Sequence, residues 1–301
     1  MSKSLENLKT QPQNQKQKSK ILSLPPLVAR LATAAVALPI LFASILMAKL
    51  AGLFVLIGAI AMMIGLYEFW LLARRQQVKP DVAAGYLAAA ALFTVFYFTQ
   101  PGKLIDFEMI YAILLVFTIS ALTAAMLRGA PFDKMILSVG VTLLGVLYVV
   151  LLGGHLIAIR MGFSQELSRH LLSFFFFVIM SADVAAYAGG SLFGSHKLAP
   201  AISPGKTWEG AIAGMMISLL AAALAHFWFF RELPLKIALP LAAVMNVLSV
   251  LGDLTESALK RSAGAKDTAK ILPGHGGILD RLDSLLFNAP VIYYFARLYF
   301  K

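Results

Sequence analysis

Apolar runs long enough to cross a bilayer recur along the whole chain, separated by short polar joints. A hydrocarbon core about 30 Å thick needs roughly 20 residues of helix. The runs fall at Leu31–Ala48, Leu50–Ala73, Val82–Phe98, Met109–Leu127, Met135–Ile159, Leu171–Gly190, Ala211–Phe230, Ile237–Gly252 and Ser284–Ala296. The last is short, so it is tilted, partly re-entrant or extended backward through Ile278. The pattern predicts an all-α polytopic integral membrane protein with eight or nine transmembrane helices. No compact soluble domain fits between them. Three polar stretches remain, 1–26, 191–209 and 253–283. The expected organisation is a disordered basic tail over 1–26, N-terminal transmembrane helices over 27–180, and a C-terminal membrane region over 181–301 carrying the candidate chemistry.

Composition agrees with the pattern. Of the 301 residues, 59% are hydrophobic and only 14% charged, with mean hydropathy +0.80. Soluble domains have about 25% charged residues, so an ordinary soluble enzyme, a disordered chain and a disulfide scaffold are all excluded. There is no cysteine, which removes disulfides, thiolate chemistry and Cys-bound metals. The tail holds Lys3, Lys9, Lys16, Lys18 and Lys20 but no apolar segment before Ile21. It therefore reads as a topology signal and not as a signal peptide.

The net charge of +11 comes from 26 Lys and Arg against 15 Asp and Glu. In a membrane chain that excess speaks first of orientation, and no nucleic-acid partner is called for. With nine spans and the N-terminus inside, 18 of the basic residues fall on the inner side and 8 on the outer. This orientation places both long polar loops, 191–209 and 253–283, on one face, the cytoplasmic one.

Most polar residues near the spans have plain readings. Trp70, Trp228, Tyr293 and Tyr294 suit an interfacial belt. The phenylalanines at 174–177 suit lipid or core packing, and His155 and Glu68 suit contact with headgroups. Asp183 differs, because it follows LLSFFFFVIMSA inside an apolar run, where an ionisable group marks a polar cavity. After it, Gly189, Gly190, Gly194 and Gly205 with Pro200 and Pro204 predict irregular backbone. His196, Lys197, Lys206, Ser203 and Thr207 could then meet phosphate at a helix start near Thr207. Gly205-Lys206-Thr207 is not a P-loop end, since Pro200 stands where that pattern requires glycine.

The second loop carries five acids, Asp253, Glu256, Asp267, Asp280 and Asp283, and five bases, Lys260, Arg261, Lys266, Lys270 and Arg281. Asp253, Glu256 and Lys260 share one helix face, as do Asp280, Asp283 and Ser284. Pro273-Gly274-His275-Gly276-Gly277 forms a tight turn between the two groups. Two carboxylate-bearing helix ends joined by a turn can converge on one hard cation such as Mg²⁺, with Lys and Arg holding phosphate.

These residues resemble a known family. Ser257-x-Leu259-Lys260-Arg261, Lys266-Asp267-x-Ala269 and Leu272-Pro273-x-His275-Gly276-Gly277-Ile278-x-Asp280-Arg281-Leu282-Asp283 resemble the signature of phosphatidate cytidylyltransferases, the CDP-diacylglycerol synthases. The segments Asp183-x-x-Ala186-Tyr187 and Ser203-Pro204-x-Lys206-Thr207-x-Glu209-Gly210 are similar to that family too. Ser191 departs from it, standing where Lys or Arg is expected, which shifts that charge to His196 or Lys197. The resemblance implies transfer of cytidylyl from CTP to phosphatidate for phospholipid biosynthesis, with diphosphate released. It implies a Mg²⁺ site with Asp253 and Asp280 as the cation-binding pair, and assistance from a monovalent cation such as K⁺.

On this reading Glu256 and Asp283 stand in or beside the metal shell. Lys260, Arg261, Lys266 and Arg281 meet phosphates, as do Ser203, Lys206 and the turn with His275, Gly276 and Gly277. Asp183 orients a lysine or a metal-bound water. The expected partners are CTP, phosphatidate and membrane lipids, and the assembly is compatible with a homodimer. The expected location is a bacterial inner or plasma membrane. Two rival readings are a CTP-dependent prenol or dolichol kinase, which would release CDP, and a transporter. The transporter predicts internal repeats and a mid-membrane site; no repeats occur, and the polar residues gather on one face.

Overall fold

The computed structural model describes residues 26–130, 132–266, 268 and 276–300, with side chains from residue 35 onward. Nine helices follow one another among the described residues. They are α1 (Pro26–Leu46), α2 (Ala51–Arg75), α3 (Val82–Tyr97), α4 (Phe107–Leu127), α5 (Met135–Gly162), α6 (Gln165–Phe193), α7 (Trp208–Trp228), α8 (Leu235–Ser262) and α9 (Leu279–Tyr299). Each apolar run of the sequence becomes one helix. By length and composition, six described helices can cross a membrane, while the apolar stretches Ala35–Leu46 and Val82–Tyr97 are shorter. The protein is an all-α polytopic integral membrane protein.

Local chemistry sets the helix starts. Asp81, Asp106, Ser164 and Thr207 accept hydrogen bonds from Ala84, Met109, Leu167 and Gly210 backbone N–H groups at 2.9–3.3 Å. Such side chains satisfy donors that a first helical turn leaves unpaired. α9 differs: Ile278 at its cap position has no side chain that can do this.

Outward-facing Leu87, Val116, Ile119 and Ile136 are 64–87% exposed, a surface that suits acyl chains and not water. Inward, Phe174, Phe175 and Phe176 are core residues. The interfacial reading fails for Trp70 and Tyr293. Trp70 is buried edge-on against Tyr86, packed against Gly85. Tyr293 is buried, and its hydroxyl accepts from Ile105 N–H at 3.0 Å. His155 is buried against Phe96, Tyr293 and Tyr294, not at headgroups. Inside α5 one turn, Val146–Leu151, is π-helical. Such turns often mark functional sites, and this one carries Tyr148.

The glycines of the 183–210 segment act differently from expectation. α6 continues through Gly189 and Gly190 to Phe193. A Cβ on Gly189 would lie 2.5 Å from Ala213 Cβ, and one on Gly210 would lie 2.7 Å from Ala186 O. These glycines let α6 and α7 approach closely; they do not break the helix. Regular helix stops only at Gly194. A short antiparallel hairpin follows, β1 (Lys197–Ala199) paired with β2 (Ser203–Thr207), Lys197 opposite Thr207 and Ala199 opposite Ser203.

Candidate active site

The hairpin and the end of α8 lie at the same end of the bundle. Arg261 Nε donates to Ile202 O at 3.2 Å, and Arg261 Nη1 donates to Ala265 O at 3.3 Å. Gln76, just beyond α2, donates to Ser262 O. Arg261, expected to meet phosphate, thus ties the hairpin to α8. His196 is also engaged: its N–H donates to both Glu209 carboxylate oxygens at 3.1 and 3.2 Å, and its Nδ1 lies 2.6 Å from Oε1.

Lys206 projects from β2 so that its Nζ lies 2.5 Å from Asp253 Oδ2 on α8. One turn on, Glu256 is 1% exposed and lies 2.6 Å from Lys260 Nζ. The same ammonium donates to Asp280 Oδ1 at 3.1 Å on α9. Asp280 Oδ2 accepts from Gly277 N–H at 3.0 Å. Gly276, at φ +80°, is in a conformation that suits only glycine well. Asp253, Glu256 and Asp283 each offer one carboxylate oxygen within 4.8 Å of the others. α8 and α9 can meet here because Gly252 has no side chain: a Cβ there would collide with Asp283 O.

Like charges this close repel. Two unit charges 4 Å apart interact by about 4 kcal/mol at an effective dielectric near 20. Lys206 and Lys260 offset part of that repulsion. Three convergent carboxylates with no sulfur or imidazole among them form a hard-donor set that fits Mg²⁺. The structure therefore gathers Asp253, Glu256 and Asp283, while Asp280, the expected partner of Asp253, stands one lysine away.

Asp183, deep in α6 and ten residues before its end, is accessible and accepts from Ser284 Oγ at 3.4 Å. Ser284 N–H in turn donates to Asp283 Oδ1 at 2.7 Å, so Asp183 joins the same constellation. Ser203 is half-buried in β2, and Lys266 and Arg281 are exposed. His275 lies outside the described residues, as do Asp267, Pro273 and Gly274.

Residues 28–299 match the sequence profile of the Cytidylyltransferase family. The chain belongs to that family. Among curated relatives, this cytidylyltransferase-family chain is 47% identical over 131 residues to a phosphatidate cytidylyltransferase of Haemophilus influenzae, covering 42% of this chain and 45% of the relative. It is 43% identical over 123 residues to one of Staphylococcus haemolyticus, covering 41% and 47%. A Bacillus subtilis protein of the same name is 37% identical over 193 residues, covering 63% and 67%. The matched part spans about half the length of the first two relatives.

Two residues of this family member take places that local sequence does not show. Glu68, expected at headgroups, is fully buried beside the start of α9: its Oε1 accepts from Ile278 N–H at 3.0 Å and its Oε2 from Leu279 N–H at 2.7 Å. Tyr148 buries a hydroxyl that has no hydrogen-bond partner among the described residues. Both lie on spans whose sequence is otherwise plain, and only the glutamate's charge inside an apolar run gave a signal.

Proposed function

We propose that the protein transfers the cytidylyl group of CTP to phosphatidate, giving CDP-diacylglycerol and diphosphate, in a bacterial inner or plasma membrane with the site facing the cytoplasm. The observation that carries this reading is the meeting of Asp253, Glu256 and Asp283 with Lys206 and Lys260 at one end of an apolar bundle. The names of the relatives in three bacteria support the substrates. The excess of basic residues on the inner side supports the orientation.

Phosphatidate is a phosphate monoester, largely dianionic near neutral pH, and so is already a nucleophile. One of its phosphate oxygens attacks the α-phosphorus of CTP, the bond to the bridging oxygen breaks, and diphosphate leaves with that electron pair. No strong general base is required. The residues must position two polyanions and neutralise the charge that develops between them. Asp253, Glu256 and Asp283, with Asp280 beside them, would hold Mg²⁺. When bound, Mg²⁺ neutralises charge on the transferring phosphate and the leaving diphosphate. Lys206 and Lys260, held by carboxylates, can turn toward phosphate as substrate enters. Lys266 and Arg281 meet the triphosphate at the rim. Asp183 and Ser284 orient the inner wall.

The lipid approaches from the side. A groove of about 520 Å³, lined by Phe42, Phe177, Met180, Val184, Ala188 and Ile217, runs along α6, the helix that also carries Asp183. Its wall is apolar, which suits an acyl chain whose phosphate lies at the acidic cluster.

The test is incubation of purified protein with labelled CTP and phosphatidate, with and without Mg²⁺. CDP-diacylglycerol and diphosphate are expected only with the cation. No CDP-lipid under any cation condition would overturn the proposal. CDP and a phosphorylated prenol would establish the kinase in its place.

A further inference from the structure

Glu68 solves a problem that α9 cannot solve for itself. The first turn of a helix leaves backbone N–H groups without partners, and Ile278 offers no side-chain acceptor. A carboxylate from α2, 210 residues away in sequence, takes two of them, at 3.0 Å from Ile278 N and 2.7 Å from Leu279 N. Its Oε2 also accepts from Thr268 Oγ1 at 3.4 Å, which ties the segment between α8 and α9 to the same point. Gly277 lies so close that a Cβ there would be 2.7 Å from Glu68 Oε2. The carboxylate is fully buried. A charged acceptor at a helix N-terminus is favoured by the helix dipole and by charge-assisted hydrogen bonding.

The turn that Glu68 holds is the one that carries the chemistry. Asp280 is the second residue of α9, and Asp283 follows one turn later. Any rotation or slide of the start of α9 moves both carboxylates relative to Asp253, Glu256 and Lys260 on α8.

We propose that Glu68 is a positioning residue for the active site: by holding the first N–H groups of α9 it fixes the setting at which Asp280 and Asp283 meet α8. This rests on the reading of that site as a Mg²⁺-dependent cytidylyltransferase. It also means that the N–H groups of residues 278 and 279 are engaged by protein and do not hold substrate phosphate.

The experiment uses the full chain in detergent or nanodiscs. Glu68→Gln keeps the shape but replaces one acceptor oxygen with an NH₂ group facing backbone donors. Loss of a partner that orients metal ligands typically costs about 10–100-fold. The expected result is a turnover number lower by about that factor and a several-fold higher Mg²⁺ concentration for half-maximal activity. Trypsin should also cleave faster after Lys260, Arg261, Lys266 or Lys270. Glu68→Asp, which keeps a carboxylate one methylene shorter, should recover part of the rate. A lower rate with an unchanged Mg²⁺ midpoint would show a role in stability alone and overturn the proposal. So would Glu68→Gln with wild-type cleavage kinetics. A wild-type protein inactive with every cation would sink the reading of the function, while the cleavage comparison would still decide the clamp.

Discussion

Lys206 Nζ sits 2.5 Å from Asp253 Oδ2 and so joins the two polar segments of the chain, the 197–207 hairpin and the end of α8. The pair is partly exposed, with side chains 22% and 42% accessible, so it can open to admit a phosphate. It should therefore matter more for catalysis than for stability. Lys206→Met is expected to lower kcat/KM by about 10–100-fold and to shift the thermal midpoint little, since exposed ion pairs contribute about 0–1 kcal/mol. Initial rates and a melting curve in the same detergent check this.

Asp253→Ala and Asp280→Ala should each remove most activity. The first deletes one of three convergent oxygens, and the second releases Lys260 and the Gly277 N–H. Losses of about 100-fold or more are expected, in line with removal of groups that stabilise transition-state charge. Near-normal activity in either variant would remove that residue from the metal assignment and leave the reaction untouched.

Gly252→Ala tests the closeness of α8 and α9. The new methyl would meet Asp283 O, which belongs to backbone and cannot swing away. Forcing such a contact typically costs about 1–3 kcal/mol. A lower melting temperature together with loss of activity is expected, because the displaced backbone carries a site carboxylate.

Tyr148→Phe makes the opposite stability prediction. The hydroxyl is buried without a partner among the described residues, and an unsatisfied buried polar group costs about 1–3 kcal/mol. Removing it should leave the melting temperature unchanged or raise it. A clear drop would show that the hydroxyl makes a bond in the membrane-embedded protein.

The helices were legible because the bilayer imposes one rule on every span: backbone groups must be satisfied within the segment. Asp183 stands out in sequence because charge is costly among apolar residues, and Asp253, Glu256, Asp280 and Asp283 because they pair on helix faces beside a glycine turn. Gly189 and Gly190 lie inside α6 although their pattern predicts irregular backbone, because glycine at a helix contact and glycine in a turn look alike in sequence. Trp70 and Tyr293 are buried and not interfacial, because span ends in sequence do not show what packs over them. The role of Glu68 is invisible in local sequence because its partners Ile278 and Leu279 lie about 210 residues away.

By itself, then, the sequence determined the membrane class, the apolar runs that become helices among the described residues and the two polar segments that hold the candidate site, since each depends on local hydropathy. Only the tertiary structure decided which carboxylates converge, that Lys260 stands between Glu256 and Asp280, and that a glutamate from α2 caps α9. These depend on helix rotation and close approach, set by glycines and caps distributed over the whole chain, and no local window of sequence contains them.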